Sequence, residues 1–203
     1  MYGRADNPSN PAPPEEHAEV FPYVLTTSRL TEHHTAGAMS RQLPYLAELQ
    51  PAMFVEVSPR LAAERGLEHN GWATLVTSRS AIEARVVVTD RLRPLRVQDR
   101  TVHQVWIPYH WGYTGLVTGD AANDLFGIAL DPNVLIQESK VATCDVRPGR
   151  RPQGTELLAL VEDYRRRAGV TAGTGTVLAT TGPDAGREHL ETAHDPAAEG
   201  EGQ

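Results

Sequence analysis

The sequence predicts a mainly β protein with flanking helices, built around one small β-barrel. Short β-prone runs recur between residues 20 and 150, two of them flank a short turn, and only two segments have the marks of helices. Several short strands with one or two helices and crossing connections are typical of small barrels. These patterns do not choose the type of barrel.

Five segments are predicted as strands. The first two are apolar and β-prone, and the other three alternate apolar with polar residues. A short turn separates the third from the fourth, which predicts a hairpin. The five segments are residues 21–26, 53–57, 72–77, 82–89 and 101–107.

Two helices are predicted. Ser58 can cap the first, Pro59 suits its first turn, and Gly66 can end it. The second covers residues 155–167, which combine one apolar face with three arginines near the C-terminal end, where the helix dipole favours cations.

Composition excludes several classes of protein. The net charge of -7 argues against general nucleic-acid binding, which needs a basic face. No apolar run approaches the ~20 residues of a transmembrane helix, and the N-terminal residues lack a secretory signal, so a soluble chain is expected. The single cysteine, Cys144, excludes an internal disulfide and a cysteine-rich zinc site.

Four regions follow from the changes in composition along the chain. Residues 1–19 are predicted to be a Pro-rich linker or arm, residues 20–151 the barrel, and residues 152–168 a C-terminal helix. Residues 169–203 are rich in Gly, Thr, Ala and Glu, and they are predicted to be a disordered acidic tail.

The loop after the first predicted strand combines hydroxyl side chains with Gly37, Arg29 and Arg41. Gly37 lets a ligand approach the backbone closely, and the arginines offer paired donors for phosphate oxygens. A helix that begins near Met39 would add free N–H groups to the same place. The loop therefore has the chemistry of a diphosphate clamp, although a solvated loop of this composition stays an open alternative.

His33 and His34 raise the question of a metal site. Adjacent residues of an extended chain point in different directions, and a spaced HExxH or a cysteine pair is missing from the sequence. Only folding could bring His103 and His110 to join them. The pattern favours hydrogen-bonding or surface histidines.

Three separate segments resemble one known family. They are LTTSRLTEHHTAGAMSRQLPYLAELQPAMFVEVSPRLAAERGL, EARVVVTDRLRPL and TVHQVWIPYHWGYTGLVTGDAANDL. Together they resemble the C-terminal molybdopterin guanine dinucleotide-binding domain of the major (alpha) subunit of molybdenum- or tungsten-dependent formate dehydrogenases, in the molybdopterin oxidoreductase (dimethyl sulfoxide reductase) family. The resemblance covers residues 20–151, and HQVWIPYHWGYTG favours formate dehydrogenases over nitrate and sulfoxide reductases.

The resemblance implies a six-stranded double-psi β-barrel that holds molybdopterin guanine dinucleotide. It assigns cofactor contacts to eight residues: Thr27, Arg29, His33, Gly37, Met39, Ser40, Asn123 and Lys140. Asn123 belongs to a late loop, residues 119–124, and its amide can both donate to and accept from a pterin or guanine edge. Without the resemblance, Asn123 could equally be a turn residue.

The resemblance also implies what this sequence lacks. The iron–sulfur cysteines, the Cys or selenocysteine metal ligand and the catalytic His of such enzymes belong to earlier domains, so no catalytic residue is assigned here, and Cys144 is interpreted as structural. We expect the chain to be inactive alone and to need the catalytic iron–sulfur and molybdenum portion as its partner, with electron-transfer subunits beyond it.

Two alternatives stay open at this point. One is a stand-alone module that binds a pterin or guanine nucleotide, and the other is an interaction barrel that has lost its ligand, because a fold does not fix a function. The choice between molybdenum and tungsten, the compartment, and whether the chain is a separate subunit or a fragment also stay open.

Overall fold

The computed structural model describes residues 16–97, 99–127, 133, 134, 136 and 141–170. The predicted tail beyond residue 170, the first fifteen residues of the predicted arm, and Lys140 lie outside the described residues. The described elements are β1 Tyr23–Ser28, α2 Pro44–Leu49, β2 Phe54–Val57, α3 Pro59–Arg65, β3 Trp72–Val76, β4 Ala81–Val88, β5 Leu95–Val97, β6 Arg100–Val102, β7 Gln104–Pro108, β8 Val141–Pro148 and α4 Gly154–Arg167, with α1 at His17–Val20 and 3-10 helices at Ser40–Gln42 and Ala122–Leu125.

Six strands close into a barrel in the order β1-β7-β2-β4-β3-β8. The pairs β1–β7 and β2–β4 are parallel, and the other pairs are antiparallel. Parallel neighbours cannot be joined by a tight hairpin, so long connections cross over the ends of the barrel. The predicted mainly β fold with a closed six-stranded barrel is confirmed.

Alternating apolar residues of the strands fill the barrel. Leu25, Val55, Val57, Leu75 and Val105 are fully buried there. Period-two alternation directs every second side chain inward, so the same pattern that predicted the strands also supplies the core.

Two strand predictions need correction. The segment predicted as one strand over residues 101–107 is two strands, β6 and β7, with His103 between them. β6 pairs with β5 in a separate two-stranded sheet, whereas β7 enters the barrel. β8 was not predicted, because its central residues Cys144, Asp145 and Val146 are all buried and do not alternate.

The helices stand close to their predicted positions. In α3, the Ser58 hydroxyl accepts a hydrogen bond from the Leu61 N–H at 3.1 Å, and Gly66 ends the helix in the left-handed conformation. α4 packs Leu157, Val161 and Tyr164 into a second apolar cluster outside the barrel.

Part of the segment predicted as an arm is helical, because α1 begins at His17. Its last turn leads into Phe21, whose ring lies 5.8 Å from that of Tyr164 on α4. The His17 ring also lies 4.9 Å from that of Phe21, so α1 contacts a residue of the second cluster. Within the described ranges, no helix is long and apolar enough to cross a bilayer.

Candidate functional site

The loop that follows β1, residues 29–41, has a glycine, Gly37, at the position where its backbone lies against the backbone of His110. Gly37 has a φ of +76°, and a Cβ at this position would lie 2.0 Å from the backbone oxygen of His110. Neither the conformation nor the space allows another residue type. The loop is thus pressed directly against the segment that follows β7.

Arg41 does not serve as the phosphate donor that the sequence suggested. Its side chain is buried, and Nε donates to the carbonyl of His110 at 2.9 Å. Nη1 faces three more carbonyls, those of Gly112, Thr114 and Val117. A buried guanidinium needs several acceptors, and four backbone oxygens supply them here. Arg41 therefore supports the loop from within.

The His110 ring links the start of the loop to its middle. Its Nε2 accepts a hydrogen bond from the Leu30 N–H at 2.9 Å, so the proton of the neutral ring resides on Nδ1, which donates to the Thr35 carbonyl at 2.5 Å. Burial lowers the pKa of His110, the hydrogen bond to the Thr35 carbonyl partly opposes this, and the nearby Arg29 charge lowers the pKa further. The site therefore favours the neutral ring.

His33 has both ring nitrogens occupied inside the loop. Nε2 donates to the Gln50 carbonyl at 3.0 Å, and Nδ1 accepts from the Ser40 hydroxyl at 3.1 Å. The same hydroxyl accepts from the His34 N–H at 3.1 Å. The hydrogen bonds of His33 and Ser40 shape the loop, and their predicted cofactor contacts stay predictions.

Metal ligation finds no support in this arrangement. Among the described residues, no group of three or more His, Cys, Asp or Glu side chains could hold a metal ion. His33 and His110 do come near each other, with ring centroids 6.3 Å apart, but protein hydrogen bonds occupy both rings.

The outer edge of the loop remains open. Arg29, His34 and Met39 are exposed, with Met39 at 72%, and Thr27 is half-buried at the end of β1. Within the described part of the chain, the backbone N–H groups of the exposed residues Ala36, Ala38 and Met39 have no hydrogen-bond acceptor. This edge therefore presents a guanidinium and several free donors.

The late loop meets the first loop at Gly112. The Gly112 carbonyl accepts from Arg41 Nη1 at 3.3 Å and from the Gly119 N–H at 3.1 Å. Gly119, at the start of the late loop, therefore lies beside the Arg41 side chain that supports the first loop. Asn123 is exposed on the 3-10 helix, where its side chain is free to meet a ligand.

A buried ion pair anchors the late loop. Asp120 accepts from Arg151 Nε at 2.6 Å and Nη2 at 2.8 Å, and the Glu83 N–H also donates to it at 2.9 Å. The hydrogen bond to Asp120 raises the pKa of Arg151. No local pattern indicates this pair, because its partners lie in segments far apart along the chain.

A second contact lies further along the same loop. The Tyr113 hydroxyl donates to Asp124 at 2.5 Å, and burial raises the pKa of both groups. Because Tyr113 follows Gly112, the contact joins the far end of the late loop to the segment that supports the first loop.

The residues of the two loops fit a pterin dinucleotide. Its diphosphate oxygens and ring carbonyls are acceptors, and the exposed edge of the first loop presents the Arg29 guanidinium and free backbone N–H groups. Gly37 removes the side chain that would otherwise hold a ligand away from the backbone. His110 and Arg41, which fix this edge, were not predicted in that role.

Comparison with known proteins agrees with this fit. Residues 23–143 match the family described as molydopterin dinucleotide binding domain. Over 127 residues, the chain is 41% identical to formate dehydrogenase 2 subunit alpha (cytochrome c-553) of Nitratidesulfovibrio vulgaris, with 63% of this chain and 12% of that protein covered. Over 123 residues, it is 42% identical to the nitrate-inducible formate dehydrogenase major subunit of Escherichia coli, with 60% and 12% covered.

Among solved structures, acetylene hydratase from Pelobacter acetylenicus aligns with a TM-score of 0.48 and 16% identity, over 64% of this chain and 19% of that one. The chain spans about one eighth of the length of the two formate dehydrogenase subunits. The predicted resemblance is confirmed over the barrel. The chain belongs to the molydopterin dinucleotide binding domain family, and within it the chain resembles formate dehydrogenase alpha subunits.

Proposed function

We propose that this chain binds molybdopterin guanine dinucleotide and forms one wall of the cofactor site of a formate dehydrogenase. The observation that carries the proposal is that the first loop has paired polar groups on its buried side and unpaired donors on its exposed side. The buried side chains of Arg41 and His33, and of His110 behind the loop, are paired inside the protein, whereas the donors at the outer edge of the loop are not. Such an edge is preorganised for a ligand rich in acceptors.

In this proposal, Arg29 faces the diphosphate, and the free N–H groups of Ala38 and Met39 face the same oxygens. Thr27 contributes a hydroxyl at the end of β1, and Asn123 pairs with a pterin or guanine edge. The bound cofactor would supply the metal-centred redox chemistry, with molybdenum or tungsten held mainly by the catalytic portion. The residues of this chain bind and orient the cofactor.

A binding experiment tests the role of Arg29. We expect wild-type chain to bind GDP, which carries the guanine and diphosphate of the cofactor, and Arg29→Ala to bind it about tenfold more weakly, because a charge-assisted hydrogen bond is lost. Arg96→Ala is the matched control, since Arg96 is an exposed arginine on β5. Isothermal titration calorimetry measures all three affinities, and equal affinities for the two variants would remove Arg29 from the site.

Purification of the tagged chain from its native host tests the assembly. We expect molybdenum or tungsten, releasable guanine nucleotide and a larger iron–sulfur protein in the eluate. A cofactor-free monomer that also fails to bind GDP would leave the ligand-free interaction barrel as the function. Binding without the larger protein would favour the stand-alone module.

A further inference from the structure

Trp111 lies between the two loops of the candidate site. Its ring centroid is 5.0 Å from that of His33 in the first loop, in an edge-to-face arrangement at 88°. Trp111 also contacts the late loop. A Cβ added to Gly119 would lie 2.9 Å from Trp111 Cδ1, so the Gly119 backbone packs against the Cδ1 edge of the indole ring. Cδ1 is bonded to Nε1, so the indole N–H belongs to the edge that faces the late loop.

The indole N–H of Trp111 has no acceptor. The residue is 3% exposed, and its Nε1 makes no hydrogen bond to any described residue. This nitrogen can only donate, so no change of tautomer could let it pair with a donor instead. Buried donors are nearly always paired in native proteins, so an exception needs an explanation, and a bound ligand is one that the position of Trp111 between the two loops favours.

The other two tryptophans show that the position of Trp111 is distinctive. Trp72 is stacked between the guanidinium groups of Arg85 and Arg150, at 4.2 and 4.4 Å from its ring centroid. Trp106 also has an unpaired Nε1, but it lies on β7 between the buried residues Val105 and Ile107 and therefore points to the outside of the barrel. Trp111 alone of the three contacts both loops of the candidate site.

We propose that the Trp111 N–H donates a hydrogen bond to the bound dinucleotide, which enters between the two loops. This proposal rests on the proposed function and adds a ligand contact to it. The acceptor is a phosphate or carbonyl oxygen, or a ring nitrogen, of the cofactor. The Gly119 backbone packs against this edge, and its N–H donates to the Gly112 carbonyl at 3.1 Å. In this proposal the ligand enters there, the Gly119–Gly112 hydrogen bond opens, and a ligand atom takes the place of Gly119 beside the free donor.

Nuclear magnetic resonance of the 15N-labelled full chain tests the contact directly. The three indole N–H resonances are assigned with Trp→Phe variants, and the chain is titrated with GDP and with intact cofactor released from a formate dehydrogenase. We expect the Trp111 resonance to shift and its hydrogen exchange to slow, while the Trp106 resonance stays in place. A shift with GDP places the acceptor in the guanosine diphosphate half, and a shift with the intact cofactor alone places it in the pterin half.

Affinities provide the second readout. Trp111→Phe keeps an aromatic ring and removes the donor, so we expect about three- to tenfold weaker binding. Trp106→Phe, the matched control, should bind within about twofold of wild type. If the wild-type chain binds the intact cofactor with no shift at Trp111, the contact is refuted and the proposed function stands. If it binds neither probe, both are refuted.

Discussion

At the scale of single residues, Arg29 and Arg41 show how the same side chain takes two roles in one loop. Arg29 is exposed beyond the end of β1, whereas Arg41 is 3% exposed and faces four backbone carbonyls. Burial lowers the pKa of Arg41, although the group stays charged at any physiological pH. The exposed arginine is free to bind an anion, and the buried one fixes the backbone that carries it.

His110 makes the loop sensitive to acid. Its folded-state pKa lies below the ordinary value of 6.5, and its neutral ring must accept from the Leu30 N–H. The unfolded chain therefore binds the proton more tightly, so the stability that His110 contributes is present above pH 6.5 and is lost as the pH falls through its folded-state pKa.

We therefore expect the free energy of unfolding to decrease from pH 7 to pH 5 in wild-type chain, with a smaller decrease in His110→Gln. Urea denaturation at a series of pH values measures both slopes. His69→Gln is the control, because His69 is exposed where it accepts from the Val88 N–H. Identical slopes for wild type and His110→Gln would show that His110 does not titrate in this range.

At the scale of elements, two adjacent arginines after β8 hold the late loop in different ways. Arg151 forms its bidentate pair with Asp120, and both side chains are less than one tenth exposed. Arg150 pairs with Glu83 at 2.5 Å, but its side chain is 61% exposed. The Arg151 N–H also donates to Glu83 at 3.1 Å, so β4, the late loop and the end of β8 meet in one network.

These surroundings predict unequal effects of the same substitution. Arg151→Met leaves the Asp120 carboxylate buried without its cation, so we expect a loss of about 3–5 kcal/mol in the free energy of unfolding. Arg150→Met removes an ion pair whose arginine is 61% exposed, together with its stacking on Trp72, and should cost about 1 kcal/mol. Urea denaturation compares the two variants. Similar losses for both would mean that the buried pair does not anchor the late loop.

At the scale of the whole molecule, barrel closure assembles the site. The parallel pairing of β1 with β7 places the residues after both strands at the same end of the barrel. The first loop follows β1, and the segment with His110 and Trp111 follows β7, so the two lie side by side. The late loop then continues from that segment and returns to it at Gly112.

The composition of the molecule bears on its activity. Its single cysteine, Cys144, is buried in the barrel, and burial raises the pKa of that thiol, so it is a poor metal ligand. The chain also spans only about one eighth of the formate dehydrogenase subunits that it resembles. We propose that catalysis needs the other part of such an enzyme.

We therefore expect purified chain, with or without added cofactor, to give no formate-dependent reduction of an artificial electron acceptor. The complete enzyme from the native host serves as the positive control in the same assay. Formate-dependent reduction that co-purifies with the isolated chain through several columns would contradict this expectation and would require a metal ligand within the chain.

The sequence alone determined the mainly β class, the Ser58 cap and the Gly66 end of α3, and the family, since these depend on local patterns or on residues in a fixed order. The sequence also singled out the first loop, because the missing side chain of Gly37 and the charged guanidinium of Arg29 are properties of the residue types themselves. It missed β8, where the buried Asp145 interrupts the apolar pattern and is satisfied by Arg65 at 2.7 Å and Tyr164 at 2.6 Å.

Only the tertiary structure decided which groups of the site are free. Arg29 and Arg41 are alike in the sequence, and contacts with the segment after β7 separate the exposed arginine from the supporting one. The pairing of Asp120 with Arg151 and the unpaired N–H of Trp111 likewise depend on segments that meet only when the barrel closes. Hydrogen bonding and burial are properties of the packed molecule, so the local pattern could not specify them.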